Sequence, residues 1–419
     1  KFAFALTKSR PASKLAPIIF LLSGGLGFVI FLRDYWQDGR SIFEFIWHLE
    51  KDYTIKNELL RWGNSLIVLF ITQRGFLLGM PIVLIVLSYL WKIFTTEIQR
   101  HGEGIRQNEQ DEKTFSLFHF FTFPAFFIGL LAGTLPLIHV HSLFVLFIVS
   151  AFLFFLRLEK WREWITFGVG VSVIAIPELI WSLTGSASNL SKFIGWHWGW
   201  DKGEYNFILF WGANLGLFIP LLVVALLLKS RVESRDSSVS ASPRLRVSPS
   251  LLFYLPFAFI FILSNTFKLA PWEWDNIKVL IYWFVASVPF VAWFLTYLWE
   301  REIFYKVTVI ASLIILALSG GLDVWRVVSR QINYQVFSRD AVKIAAEIKQ
   351  KTAPNALFLN APTYNTAVVL SGRRSLMRYT GHLGSYGIDS EPRENEVKRI
   401  YEGSALRSEE RRVGKSVDL

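Results

Sequence analysis

The chain contains no cysteine among its 419 residues, which excludes disulfides, thiol catalysis and cysteine-ligated zinc or iron–sulfur centres. Charge is also scarce: Asp, Glu, Lys and Arg together make 18% of the chain, against 53% hydrophobic residues with 38 Phe and 17 Trp. So little charge with so much apolar surface excludes a disordered chain and a coiled coil, and it is too apolar for water-soluble cores of ordinary size. Initiator methionine is missing too. The chain begins at Lys1 and reads as a piece of something longer, and the last stretch, Arg407 to Leu419, matches nothing before it and reads as a non-native tail.

What is present is a series of long apolar runs bounded by charge. A bilayer core about 30 Å thick needs about 20 apolar residues per helix. Nine runs meet that measure: Lys14 to Leu32, Gly75 to Trp91, Phe118 to Leu137, Ile138 to Leu156, Ile165 to Leu183, Tyr205 to Leu228, Leu251 to Phe267, Lys278 to Leu298 and Tyr305 to Leu322. A tenth, Ser65 to Thr72, is too short to cross and reads as re-entrant or interfacial. The expected fold is therefore an all-α polytopic membrane bundle over residues 1–322, followed by a small, incomplete α/β domain over 323–406 and the non-native tail over 407–419.

Lys and Arg concentrate in alternate loops, among them the one with Lys92, Arg100, Arg106 and Lys113 and the Ser-rich basic stretch Lys229 to Ser250. By the positive-inside rule those loops are cytoplasmic, which places the N-terminus inside and the C-terminal domain outside a plasma membrane, the bacterial inner membrane in the expected setting. The formal charge of +11 then belongs largely to membrane-proximal loops, with the lipid bilayer rather than nucleic acid as partner. In the C-terminal part Ser338 can cap a helix running to about Lys351, with Asp340 in its first turn and Lys349 and Lys351 in its last. Pro354-Asn355 turns into a short strand over Ala356 to Asn360, and Arg374 to Met377 suits a second.

The polar residues of the outer loops carry the candidate chemistry. Gln73-Arg74 sits between two apolar runs, where the guanidinium is either a snorkelling interfacial side chain or a bidentate ligand for an anionic lipid-linked group. His139 and His141, two apart beside Pro136, suit a metal, acid–base work or a plain structural turn. Glu178, after Pro177 and within an apolar span, either lines a wet cavity or pairs across the bundle. Trp196, Trp198 and Trp200 alternate with small residues, forming an interfacial belt or a stacking surface for sugars with His197 and Asp201 alongside. The densest cluster is Asn265 to Lys278. There Asp275 and Glu273 suit a catalytic carboxylate or a divalent cation such as Mg or Mn, Lys268 and Lys278 a phosphate, and Trp272, Trp274 and Asn276 a substrate, beside the alternative that much of this is helix-entry architecture.

The whole plan resembles the GT-C class of polytopic glycosyltransferases: about nine spans, outer loops rich in Asp, Trp and His, the block Pro271-Trp-Glu-Trp-Asp-Asn-Ile-Lys278, and a C-terminal α/β part with Asn355-Ala-Leu-Phe-Leu-Asn-Ala-Pro-Thr-Tyr-Asn365. The resemblance implies an enzyme that transfers a sugar from a polyprenyl-phosphate donor to an acceptor at the outer membrane face. The catalytic carboxylate of that class lies in a first outer loop that is missing here, so the resemblance does not assign it to Asp34. A transporter or flippase of lipid-linked saccharides, which calls for helices broken within the membrane, and a non-catalytic membrane scaffold are the alternatives.

Overall fold

The computed structural model describes residues 1–56, 58–100, 124–183, 194–236, 248–270, 272–385 and 388–402. The chain divides into two units. One comprises Lys1–Thr184, Trp196–Leu269 and Glu273–Gln331; the other comprises Gly185–Gly195, Ala270–Trp272 and Ile332–Leu419.

The first unit is a helical bundle: α1 (Phe2–Thr7), α2 (Arg10–Leu22), α3 (Phe28–Asp38), α4 (Ile42–Trp47), α5 (Arg74–Arg100), α6 (Pro124–Gly133), α7 (Leu135–Leu156), α8 (Trp161–Leu183), α9 (Phe207–Leu215), α10 (Phe218–Asp236), α11 (Pro249–Thr266), α12 (Ile277–Trp299) and α13 (Ile303–Val328). Local chemistry sets many of the starts. Ser9 caps α2, Ser248 caps α11 directly ahead of Pro249, Asn206 caps α9, and Ser41 with Glu44 forms a capping box on α4. α12 is apolar on every side and 89% of its most apolar stretch is enclosed, whereas only 22% of α8 is. A helix without a polar face belongs in the middle, so α12 is the axis of the bundle and α8 lies at its rim.

Among the described residues six helices are long and apolar enough to cross a bilayer, or eight if each of two bent pairs is one span. The nine predicted spans are therefore matched only in part. The run Lys14 to Leu32 is broken at Ser23–Gly27, where α2 and α3 diverge by 65°, and Tyr205 to Leu228 is broken at Gly216-Leu217, where α9 and α10 diverge by 88°. Of the run Phe118 to Leu137, α6 supplies ten apolar helical residues, and residues 118–123 lie outside the described part. Hydropathy averages over Ser23-Gly-Gly-Leu-Gly27 as though it were helical, yet glycine weakens a helix there by about 1 kcal/mol per residue. The short run Ser65 to Thr72 forms a π-helical turn over Ser65–Ile71.

The two breaks meet each other. Gly25 has φ +60°, and a Cβ there would lie 2.3 Å from the Asn214 carbonyl oxygen at the end of α9. Gly320 of α13 is pressed equally close: a Cβ would stand 2.3 Å from the carbonyls of Leu22 and Ser23. Buried Asn64 and Ser319 satisfy backbone groups at the first break, and buried Asn214 and Asp323 fasten the neighbouring loop over residues 53–62. Asn64 donates to the carbonyls of Leu21 (2.8 Å) and Ser23 (3.1 Å) and accepts from the amides of Leu66 and Ile67. Asn214 accepts from the amides of Arg61 (2.7 Å) and Trp62 (2.6 Å) and donates to the carbonyls of Leu59 and Phe210. The Ser319 hydroxyl accepts from the Phe28 amide and donates to the Gly25 carbonyl. Asp323 accepts from the amides of Tyr53 (2.7 Å) and Thr54 (3.0 Å) and from the Thr54 hydroxyl (2.5 Å).

The second unit holds α14 (Arg339–Lys351), β1 (Leu357–Phe358), α15 (Ala367–Ser371), β2 (Arg374–Ser375), α16 (Thr380–Ser385) and α17 (Glu391–Tyr401). Ser338 caps α14 through the Ala341 amide, and both predicted strands form, in parallel, with Leu357 opposite Arg374 and Phe358 opposite Ser375. The sequence-based domain boundary at residue 322 falls inside α13, which continues to Val328. The expected tail over 407–419 and residues 237–247 of the Ser-rich loop lie outside the described residues.

Gly25→Ala and Asn214→Leu are expected to lower the apparent melting temperature of detergent-solubilised protein, the latter because each buried group it strands costs about 1–3 kcal/mol of stability. Gly212→Ala, in a helix with open space around its Cα, is the control that leaves the temperature unchanged or raises it. Equal behaviour of all three variants contradicts the packing described for the breaks.

Candidate functional site

At one end of the bundle three loop regions converge. The C-terminal end of α11 runs against residues 197–199: the His197 amide donates to the Thr266 carbonyl (3.0 Å) and the Gly199 amide to the Asn265 carbonyl (2.7 Å). Trp200 donates from its indole nitrogen to the Trp274 carbonyl, and Trp274 donates in turn to the Arg61 carbonyl, both at 3.3 Å. Trp62, Trp200 and Trp211 pack together beneath these links, with ring centroids 5.6–5.8 Å apart. The loops are thus seated on an aromatic floor.

Three carboxylate–cation pairs stand here. Arg61 and Asp201 are joined at 2.5 Å, Lys278 and Asp275 at 3.0 Å, and Lys268 and Glu273 at 3.8 Å. All are partly exposed, so their value as staples is small. Their side chains remain open to a ligand. Burial pushes the Asp201 carboxyl above the usual carboxylate range, and the Arg61 guanidinium pulls it back without cancelling that effect.

The sequence-predicted residues fall into distinct places. Asp275, Glu273, Lys268 and Lys278 are together, as is Trp274, and Trp196 is exposed with its ring edge-on to Phe267 at 5.5 Å. Asn276 is enclosed at 1% exposure. It accepts from the Leu269 amide and donates to the carbonyls of Ser264 and Phe267, so its amide is consumed in shaping the loop. Trp200, at 0% exposure, presents no ring face to a sugar. The expectation of a stacking surface therefore rests on Trp196 and Trp198, of which Trp198 stacks on Phe207 at 5.2 Å. Trp272 is exposed and belongs to the second unit.

Glu178 is half-buried and accepts from the Leu137 amide (3.4 Å) in the first turn of α7, where a carboxylate meets the positive end of a helix. Arg74 is exposed at the start of α5 and has no hydrogen bond or ion pair among the described residues, and Gln73 is half-buried beside it. That start is tight against α7: a Cβ on Gly75 would lie 2.3 Å from the Ile138 carbonyl oxygen. Next in sequence, His139 and His141 stand with ring centroids 5.2 Å apart. Lys278 stands in the first turn of α12, one turn before Tyr282. Among the described residues no group of three or more His, Asp or Glu side chains is placed to hold a metal ion.

Sequence reasoning passed over the partnership of Arg61 with Asp201, which lie 140 positions apart. It also passed over Asp323, although a lone carboxylate within an apolar helix is a signal in its own right. Asp34, on α3, is held by Lys51 (3.1 Å) and Lys56 (3.0 Å). No protein-family description, curated protein or solved structure matches this chain.

The raised affinity of Asp201 for its proton fixes a sign. The folded chain binds that proton more tightly than the unfolded one, so the stability this group adds is complete below the ordinary value of 3.8 and is lost as pH rises through the raised one. Melting temperatures of wild type and Asp201→Asn are expected to agree at low pH, with wild type falling behind the variant as pH climbs above about 4. A wild type that instead gains on the variant over that window shows that Arg61 outweighs burial.

Proposed function

We propose that the chain is an integral membrane glycosyltransferase-like protein that transfers a sugar from a lipid-linked donor to an acceptor at the outer face of a bacterial inner membrane, with its N-terminus cytoplasmic and its α/β unit exoplasmic. The observation that carries this reading is the gathering, at one end of a bundle of bilayer-crossing length, of three half-exposed carboxylate–cation pairs beside exposed tryptophan. Transfer from a lipid phosphate needs a carboxylate to orient or deprotonate the acceptor hydroxyl and a cation to stabilise the departing phosphate. Asp275 and Lys278 offer both within 3.0 Å of each other, with Glu273 and Lys268 next to them and Arg74 exposed at the start of α5. Trp196 and Trp198 supply apolar faces for a sugar ring.

In membranes supplied with a polyprenyl-phosphate sugar, Asp275→Ala is expected to cut turnover by about 100-fold, the range of a lost general base, and Lys278→Ala by a similar factor. Unchanged turnover in both variants removes the assignment. A second reading, movement of a lipid-linked saccharide across the membrane, is favoured by the meeting of the two helix breaks, since discontinuous helices are where transporters place their binding sites. It predicts that proteoliposomes carry the labelled lipid-linked saccharide to the opposite leaflet with no sugar transferred.

A further inference from the structure

Inside α7 the backbone at His139 is extended (φ −162°, ψ 93°), and this break turns its ring toward α12. Nδ1 of that ring lies 2.7 Å from the Ser142 hydroxyl, which is in turn hydrogen-bonded to the hydroxyl of Tyr282 on α12. Ser142 and Tyr282 are both fully enclosed, and Phe76 closes on the His139 ring at 5.0 Å. Gly79 lets α5 come this near, since a Cβ there would stand 3.0 Å from His139 Cβ and 3.2 Å from Ser142 Oγ. Nε2 of His139 is buried and has no partner.

Counting protons along the chain settles its direction. If His139 donated from Nδ1, the Ser142 and Tyr282 hydroxyls would have only one bond left between them, and one hydroxyl proton would be stranded in the core alongside an unused lone pair on Nε2. With Tyr282 donating to Ser142 and Ser142 donating to Nδ1, every proton inside the chain is used and a single group is left over, an N–H at Nε2. A leftover donor asks for an acceptor. Beside it stand His141, with its ring centroid 5.2 Å away, and Lys278, one turn before Tyr282 on α12, where Asp275 is joined to one of the three Lys278 protons.

We infer that His139 Nε2–H, with Lys278 and His141, forms a binding site for a phosphate oxyanion, and that the Tyr282–Ser142 chain is the positioning device that keeps the donor proton on Nε2. The nitrogen is shut from solvent in this state, so the oxyanion reaches it as a neighbouring side chain gives way. The inference rests on the proposed function only for the nature of the lipid or sugar attached to the phosphate. Its test uses no sugar donor and no acceptor, so either reading can fail alone.

Full-length protein labelled with 15N-histidine is placed in nanodiscs and exposed in turn to a polyprenyl phosphate, to the uncharged polyprenol and to inorganic phosphate. In the free protein the His139 resonances are expected to report a neutral ring protonated at Nε2. The polyprenyl phosphate is expected to shift that N–H while the polyprenol leaves it in place. An equal response to inorganic phosphate assigns the site to free anions, and a response to the lipid phosphate alone assigns it to lipid-linked ones. His139→Phe and Lys278→Gln should each weaken binding at least tenfold, and His139→Gln, which restores a donor, should recover part of the loss. Tyr282→Phe should weaken binding less and move the free ring toward a mixture of tautomers, an effect that a merely packing role for Tyr282 does not produce. Protonation at Nδ1 in the free protein, silence toward both phosphates, or wild-type affinity in His139→Phe overturns the inference. If that variant does not fold, the tautomer and the phosphate response of wild type decide it.

Discussion

The close approach of Gly25 to the end of α9 is the constraint on which the rest of the bundle depends. Two apolar runs are interrupted at that level, and each interruption exposes backbone amides and carbonyls that the interior would punish severely if unpaired. Asn64 and Ser319 answer that need at the first break, while Asn214 and Asp323 fasten the adjoining loop, and each bonds a segment distant in sequence. The loop over residues 48–64 is consequently tied to α2, α9 and α13, although no strand or long helix runs through it. Arg326 completes the attachment by donating to the carbonyls of Leu49 and Glu50 and pairing with Asp52.

Because that loop is fixed, Arg61 and Trp62 are delivered to the end of α12, where the Lys278 and Asp275 pair begins the helix. The polar end of the bundle is thus assembled by backbone anchoring first and by ion pairs second. Interior amides hold the loops, and charged groups remain half in water where a ligand can exchange with their partners.

Much of this was legible in the sequence, and the limits have physical causes. Apolar length alone locates α5, α7, α8, α11, α12 and α13, because a helix near 20 residues of uniform hydropathy has few alternatives. It does not locate the breaks at Ser23 and Gly216, since glycine next to leucine scores as apolar whether the chain continues or turns. The Ser338 cap and both small strands follow from local turn chemistry. In the candidate site, Asp275, Lys278, Glu273 and Lys268 were visible as a run of unlike residues. Asn276 and Trp200 belong to the same runs by composition, yet face inward, because side-chain direction in a loop is set by its anchors and these lie 7 to 74 positions away. Ser142 and Tyr282 carry no sequence signal at all, being ordinary residues of apolar helices.

The enclosure of α12 has a consequence for how the protein senses its surroundings. A helix shielded from lipid on nearly every side has no hydrocarbon thickness to match, so lengthening or shortening the acyl chains of the membrane exerts no direct force on it. The rim helix α8 carries the opposite exposure, so a mismatched bilayer acts on it directly. Lys278 and Tyr282 sit on the insulated helix, whereas Glu178, which meets the first turn of α7, sits on the helix that the bilayer touches.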